Sequence, residues 1–281
     1  MIKLLASDID GTIIDKDNRI SPYNIEVIKK LNNSNINFTL CTGKTYLMTK
    51  ELCQKMNATY GVFGNGTQII NLKTGEEILR NALRKEDIEK CIDIANSNNL
   101  HVHIYTDNKI ISQSSLSYMA YRNYKLYKDN IDFEVIEDLR QYINLNNPSI
   151  LKLIISGNND LCKIKQEILQ NQNLAVMQIK KYNEYKDKII NEEYEYLDIV
   201  PKSINKYNSL KKLCKYLNIS NNEIMAIGDN INDIDMIENA AVGVAIGGSY
   251  EEVLKKASYV TKNSAKDGGF AEAVYKFIRL E

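Results

Sequence analysis

Short apolar runs that alternate with helical patterns constrain this chain more than any other feature. Residues 3–7 form an apolar run that reads as a buried strand. Ser21-Pro22 then opens a helix, with Ser21 as N-cap and Pro22 at the first helical position, where its missing N–H does no harm. Ile25, Ile28 and Leu31 supply the expected apolar face. Ile36, Phe38 and Leu40 alternate as a second strand, followed by Cys41-Thr42-Gly43 and another helical pattern. This repetition predicts a doubly wound parallel sheet with helices on its faces, an α/β fold.

The rhythm breaks after about residue 80. Ile88, Cys91, Ile92 and Ala95 mark an amphipathic helix, and two β-patterned runs around Asp107-Asn108 read as a hairpin. A strand over 150–155 and a charged, Tyr-rich run over 180–195 follow, which together predict an inserted α+β domain. The rhythm returns at 196–200, then passes through a helix bearing Leu210, Leu213, Cys214 and Leu217 and a buried strand over 223–227. Short strands over 242–246 and 258–260 precede a closing helix with Phe270, Val274, Phe277 and Ile278 inward. The expected division is therefore 1–81 and 193–281 for the discontinuous core, with 82–192 inserted.

A chain of 281 residues, 44% apolar, is long enough for two compact units. Its 36 basic and 36 acidic residues lack the basic excess of a dedicated nucleic-acid or membrane-surface binder. The first apolar run is broken by Asp8 and Asp10, too early for a signal-peptide core, and no later stretch is expected to span a bilayer. Cys41, Cys53, Cys91, Cys162 and Cys214 are scattered, and four lie on apolar-patterned segments. That pattern predicts reduced thiols and a cytoplasmic location.

Four clusters of chemistry-bearing residues fall at strand ends or helix starts. Asp8-Ile9-Asp10-Gly11-Thr12 follows the first strand, where ligands bind in open parallel sheets. Two close carboxylates repel unless a cation relieves them, and Mg2+ suits oxygen ligands together with a phosphate. Thr42-Gly43 ends the second strand with a hydroxyl and backbone N–H groups suited to a phosphate oxygen. Lys206 precedes a helix and can offer it a point charge. Gly228-Asp229-Asn230-Ile231-Asn232-Asp233 follows another buried strand and adds carboxylates and amides. Alone, each has a plainer reading: solvated turn aspartates, a helix cap, a solvated lysine. Together, in this order, they describe one site for phosphate and cation.

This set of motifs resembles the haloacid dehalogenase superfamily of phosphohydrolases, in its Cof-type branch with a large α/β cap, subclass IIB. The resemblance implies a Rossmann-like core with the cap inserted after the third core strand. It also implies Asp8 as nucleophile, and Asp10 as the acid/base that protonates the leaving oxygen and later activates water. Thr42, Gly43, Lys206 and Asn232 would hold phosphate. Mg2+ would be held by Asp8, the Asp10 carbonyl and Asp229, with Asp233 acting behind them. Asn65, in Phe63-Gly64-Asn65-Gly66-Thr67, is a candidate substrate contact or a turn residue. Lys44, Tyr207 and Gly248 depart from the family's usual Arg, Gly and Asn. The implied function is a Mg2+-dependent phosphatase for a small phosphorylated metabolite (a sugar phosphate, flavin mononucleotide or pyridoxal phosphate) acting through an aspartyl-phosphate. A sugar phosphomutase and a non-catalytic metabolite-binding protein are the alternatives. The sequence names no protein partner.

Three other features invite chemistry. His101 and His103 share a face of one strand, without supporting ligands for a transition metal. Cys41 reads as a small buried apolar residue at a strand end. The tyrosines at 182, 185, 194 and 196 interleave with lysines, but the neighbouring acids argue against nucleic acid.

Overall fold

A computed structural model of the chain describes residues 1–115, 117–127, 131–157, 160–182, 193–202 and 204–280. It forms two compact units, one built from Met1–Arg80 with Asn205–Glu281 and the other from Asn81–Ile204.

The first unit opens with β1 (Leu4–Ser7), α1 (Pro22–Asn32), β2 (Asn37–Cys41), α2 (Tyr46–Met56), β3 (Tyr60–Phe63), β4 (Gln68–Asn71) and β5 (Glu77–Arg80). Ser21 caps α1 by accepting from the Asn24 N–H at 3.2 Å, with Pro22 in the first turn. The helix buries Asn24, Val27, Ile28 and Leu31, whereas Ile25, expected inward, is 39% exposed. The reason is Asn24. Its amide donates to the carbonyls of Ile13 and Ala265 and accepts from the Ala271 N–H, so a polar pin takes the inner place that hydropathy gave to Ile25. The antiparallel β4 and β5 extend the sheet beyond the alternation read from sequence.

The second unit contains α3 (Lys85–Ser97), β6 (His101–Tyr105), β7 (Lys109–Ser112), α4 (Tyr118–Tyr127), β8 (Asp132–Val135), α5 (Leu139–Asn146), β9 (Lys152–Ser156), α6 (Leu161–Leu169), β10 (Leu174–Tyr182) and β11 (Glu193–Pro201). The strands form one sheet in the order β10-β11-β9-β6-β7-β8. Its core packs Ile88, Cys91 and Ile92 of α3, Ile143 of α5 and Ile164 of α6 with Val102, Ile155, Leu197 and Ile199 of the strands. The expected hairpin is β6–β7, antiparallel.

One expectation fails here. Residues 196–200 read by pattern as the returning core, but they lie in β11, antiparallel to both β9 and β10. Leu197 and Ile199 join the second unit's core, and Asp198 pairs with Lys152 of β9 at 2.7 Å. An apolar run specifies a strand and not its sheet, so the first unit resumes at Asn205 instead of 193. The expected end of the insertion at 192 lies outside the described residues.

The first unit then completes itself with α7 (Lys206–Leu217), β12 (Ile224–Gly228), α8 (Ile234–Asn239), β13 (Val242–Ala245), α9 (Glu251–Leu254), β14 (Tyr259–Val260) and α10 (Gly269–Phe277). Its sheet order is β14-β13-β12-β1-β2-β3-β4-β5. From β14 to β3 every pairing is parallel. One face packs Leu5, Phe38 and Ile227 against Val27, Met56, Phe270 and Val274 from α1, α2 and α10. The other packs Leu4, Ala6 and Ala226 against Leu210, Leu213, Met236 and Val253 from α7, α8 and α9. Both faces are covered, as expected of a doubly wound sheet whose strands read as continuous apolar runs. Strand order reverses beside β1, which lies between β2 and β12. Ser7 is level with Leu40 and Ile227, so these three strands end together.

All five cysteines are free, and all but Cys162 are buried. Among the described residues, no helix is long and apolar enough to cross a membrane.

Candidate active site

The strand ends of β1, β2 and β12 gather the predicted residues within the first unit. Asp8 follows β1 directly, its N–H donating to the Ile227 carbonyl at 2.9 Å. Lys206 is the first residue of α7, behind the N-cap Asn205, whose side chain accepts from the Asn208 N–H at 2.6 Å. The buried Lys206 Nζ donates to Asp8 Oδ1 at 2.7 Å and to Asp233 Oδ1 at 2.5 Å. Asp233 Oδ2 accepts from the backbone N–H groups of Asp229 and Asn230 at 3.1 and 3.0 Å. Asp233 thus braces both the loop and the lysine. Thr12 Oγ1 donates to Asp229 Oδ1 at 2.8 Å. Gly11 sits at φ +80°, and a Cβ there would lie 2.3 Å from Asp229 Oδ2, so only glycine lets the two loops approach.

The charges do not balance inside this group. Burial drives the Asp8 carboxyl well above the usual range; Lys206 opposes this, while Asp233, Asp229 and Asp10 add to it. Asp229 is raised to about 7 by burial and by Asp233, against the Thr12 hydrogen bond and the Lys206 charge, with Asp10 adding to the rise. Lys206 is itself held above its ordinary value, because Asp233 and Asp8 outweigh the burial that would lower it. One fixed cation thus faces more negative charge than it neutralises. Asp8, Asp229 and Asp233 each offer an oxygen within 4.8 Å of the others. An all-oxygen set with excess negative charge fits a hard dication such as Mg2+.

Asp10 projects differently. Its Oδ1 accepts from Lys44 Nζ at 2.7 Å, at the partly exposed margin of the group. In the sequence Lys44 stands out only as a departure from the family pattern, and Thr12 carries no assigned role. The signal for both was position alone, since each closes a motif already singled out. Thr42 is buried, and its Oγ1 accepts from the Lys44 N–H at 3.2 Å. Thr42 is not a helix cap: α2 begins at Tyr46 and Thr45 precedes it. Asn232 donates from Nδ2 to Asn65 Oδ1 at 2.9 Å, and Asn65 is only 3% exposed.

The other invitations close off. His103 is buried, with Nδ1 against Ser112 Oγ at 2.7 Å and Nε2 against Ser156 Oγ at 2.9 Å; burial and the neighbouring His101 lower it to about 3. Among the described residues, only the Asp8, Asp229 and Asp233 group gathers three potential metal ligands. Burial pushes the Cys41 thiol far up, which leaves it unreactive. Tyr185 lies outside the described residues; the Tyr194 and Tyr196 rings stack on each other.

The family described as haloacid dehalogenase-like hydrolases matches residues 5–274. The chain belongs to this family. A 5-amino-6-(5-phospho-D-ribitylamino)uracil phosphatase of Bacillus subtilis, YwtE, is 26% identical over 95% of both chains. An HMP-PP phosphatase of Serratia proteamaculans is 24% identical over 90% of this chain and 86% of its own. The crystal structure of a haloacid dehalogenase-like hydrolase from Bacteroides thetaiotaomicron superposes with a TM-score of 0.83 at 26% identity, covering 99% of this chain and 100% of the other. A sugar phosphatase of HAD subclass IIB shares the fold at a TM-score of 0.78 and 20% identity, over 98% of each chain. The sheet order and the two-unit division are those of a Rossmann-like core carrying an inserted domain.

Proposed function

We propose that this hydrolase is a Mg2+-dependent phosphatase that removes phosphate from a small phosphorylated metabolite through an acyl-phosphate on Asp8. The observation that carries the reading is the buried Lys206 bridge between Asp8 and Asp233, set against Asp229. A carboxylate attacking a phosphate dianion meets repulsion, and a site with a fixed ammonium and room for a dication reduces it. Mg2+, held by Asp8, Asp229 and the Asp10 carbonyl, would supply charge neutralisation at the phosphate oxygens.

The side chains divide the remaining work. Asp8 Oδ attacks phosphorus while Asp10 gives its proton to the departing alkoxide. Asp10 then takes a proton from the water that opens the acyl-phosphate, releasing inorganic phosphate and restoring Asp8. Lys44, paired with Asp10, holds that carboxyl at the margin of the site. Thr42, Gly43, Lys206 and Asn232 bind the phosphate oxygens, and Asp233 keeps Lys206 and the 229–230 backbone in place. The inserted unit, which contains none of these residues, selects the substrate. Relatives named for ribitylaminouracil phosphate and HMP-PP fit a range of small phosphate esters, among which sugar phosphates, flavin mononucleotide and pyridoxal phosphate are candidates. The free thiols fit a reducing compartment, the cytoplasm.

Phosphate release from a panel of phosphorylated metabolites, with Mg2+ or with chelator, tests the proposal. Metal-dependent release of inorganic phosphate supports it. Transfer to a second hydroxyl without release would instead make the protein a phosphomutase.

A further inference from the structure

The turn between β3 and β4 runs through three successive left-handed residues: Gly64 at φ 58°, Asn65 at 57° and Gly66 at 112°. Asn65 is the one among them with a side chain, held where most side chains are disfavoured. The turn is tied down on both sides. The Gly64 N–H donates to the Lys44 carbonyl at 2.8 Å and the Asn65 N–H to the Thr42 carbonyl at 3.0 Å. The Gly66 carbonyl accepts from Ser209 Oγ at 2.7 Å, and a Cβ on Gly66 would lie 2.6 Å from the carbonyl oxygen of Asn205, the cap of α7. One turn thus touches the segment carrying Thr42 and Gly43 and the helix start carrying Lys206.

The Asn65 carboxamide adds a third tie. Its Oδ1 accepts from Asn232 Nδ2, and a Cβ on Gly43 would meet that same oxygen at 3.0 Å and Nδ2 at 3.3 Å. No positive φ requires glycine at Gly43, so the tight fit there comes from the space the carboxamide occupies. Asn65 is buried, 3% exposed, with its carboxamide packed against Gly43 and bonded to Asn232. We propose that Asn65 is a positioning residue. It holds the Asn232 amide by one Nδ2–H, leaving the other for a phosphate oxygen, and sets the distance between the Thr42–Gly43 turn and the Asn232 loop. This rests on the reading of Asn232 as a phosphate contact.

The test is a double-mutant cycle on the Mg2+-loaded full chain, using Asn65→Gly, Asn232→Ala and the pair. Glycine keeps the left-handed backbone and deletes only the amide. The readouts are the Kd of inorganic phosphate by calorimetry, kcat and KM for p-nitrophenyl phosphate, and the melting midpoint. A hydrogen bond to a charged group is worth about 1.5–3 kcal/mol, so Asn232→Ala should weaken phosphate binding about 10- to 100-fold. Asn65→Gly should weaken it about tenfold alone and not at all in the Asn232→Ala background, with both variants still melting cooperatively. A full tenfold loss in both backgrounds would mean that Asn65 acts on phosphate independently, which overturns the proposal. A strong Asn232→Ala effect beside an inert Asn65→Gly overturns it as well. If Asn232→Ala alone leaves phosphate affinity unchanged, the phosphate role of Asn232 fails first and the positioning role falls with it.

Discussion

Replacing Lys206 by Met keeps the volume of the side chain and deletes its charge. Lys206 and Asp233 have fully buried side chains, and that of Asp8 is 8% exposed. An exposed pair would be worth about 0–1 kcal/mol, but removing one partner of a buried pair costs about 3–5 kcal/mol, because the remaining charges stay desolvated. For a domain of this size each kcal/mol lowers the melting midpoint by about 2–4 °C, so Lys206→Met should melt about 6–20 °C lower by calorimetry in chelator at about pH 8. Acidity should narrow the gap. Burial raises Asp8 and Lys206 opposes that rise, so without the lysine the native carboxyl goes higher still. A group raised in the folded state contributes stability at low pH and loses it as pH rises through the folded value. The difference between wild type and variant should therefore be smaller at about pH 5 than at about pH 8, and Asp233→Asn in the Lys206→Met background should recover part of the loss. A cost below about 1 kcal/mol, or the same cost at both pH values, would mean that Lys206 does not neutralise buried carboxylates.

Asp10→Asn should lower kcat more than it changes KM, since the missing proton transfer belongs to the transition state; full rescue by excess Mg2+ would assign Asp10 to metal binding alone. His103, lowered to about 3 when folded and titrating near 6.5 when unfolded, binds its proton more readily in the unfolded chain. Stability is then lost as pH falls between those values, by about 2 kcal/mol at pH 5, and His103→Gln should flatten that slope in urea unfolding; an unchanged slope would place the acid sensitivity elsewhere. Replacing 81–204 by a flexible linker should leave a core that folds and binds Mg2+ but no longer discriminates among phosphate esters. Unaltered substrate preference would remove specificity from the inserted unit.

What the sequence made legible was local. Asp8 and Asp10 beside one apolar run, and Asp229 to Asp233 beside another, announce strand-end loops because buried strands and turn residues leave strong short-range patterns. Sheet partners leave none: residues 196–200 look like any buried strand, and only the ladder to β9 and β10 shows which sheet they complete. Helix facing has a one-residue ambiguity when a polar residue is buried, which is how Asn24 displaced Ile25. The Asn65–Asn232 bond joins residues 167 positions apart, and the Lys44–Asp10 pair spans 34. No periodicity encodes such contacts; they follow from strands whose ends the fold makes level.

A covalent bond between phosphorus and Asp8 can be trapped directly. Mg2+-loaded Asp10→Asn enzyme, mixed with p-nitrophenyl phosphate, whose leaving group needs no added proton, should accumulate the acyl-phosphate because water is no longer activated. Rapid quenching followed by borohydride reduction converts a phosphorylated aspartate to homoserine, which mass spectrometry locates within the tryptic peptide 4–16. Homoserine should appear at position 8 and at no other position. Turnover of p-nitrophenyl phosphate with no acyl-phosphate in the quenched protein, or with the modification on a different carboxylate, would mean that Asp8 is not the nucleophile.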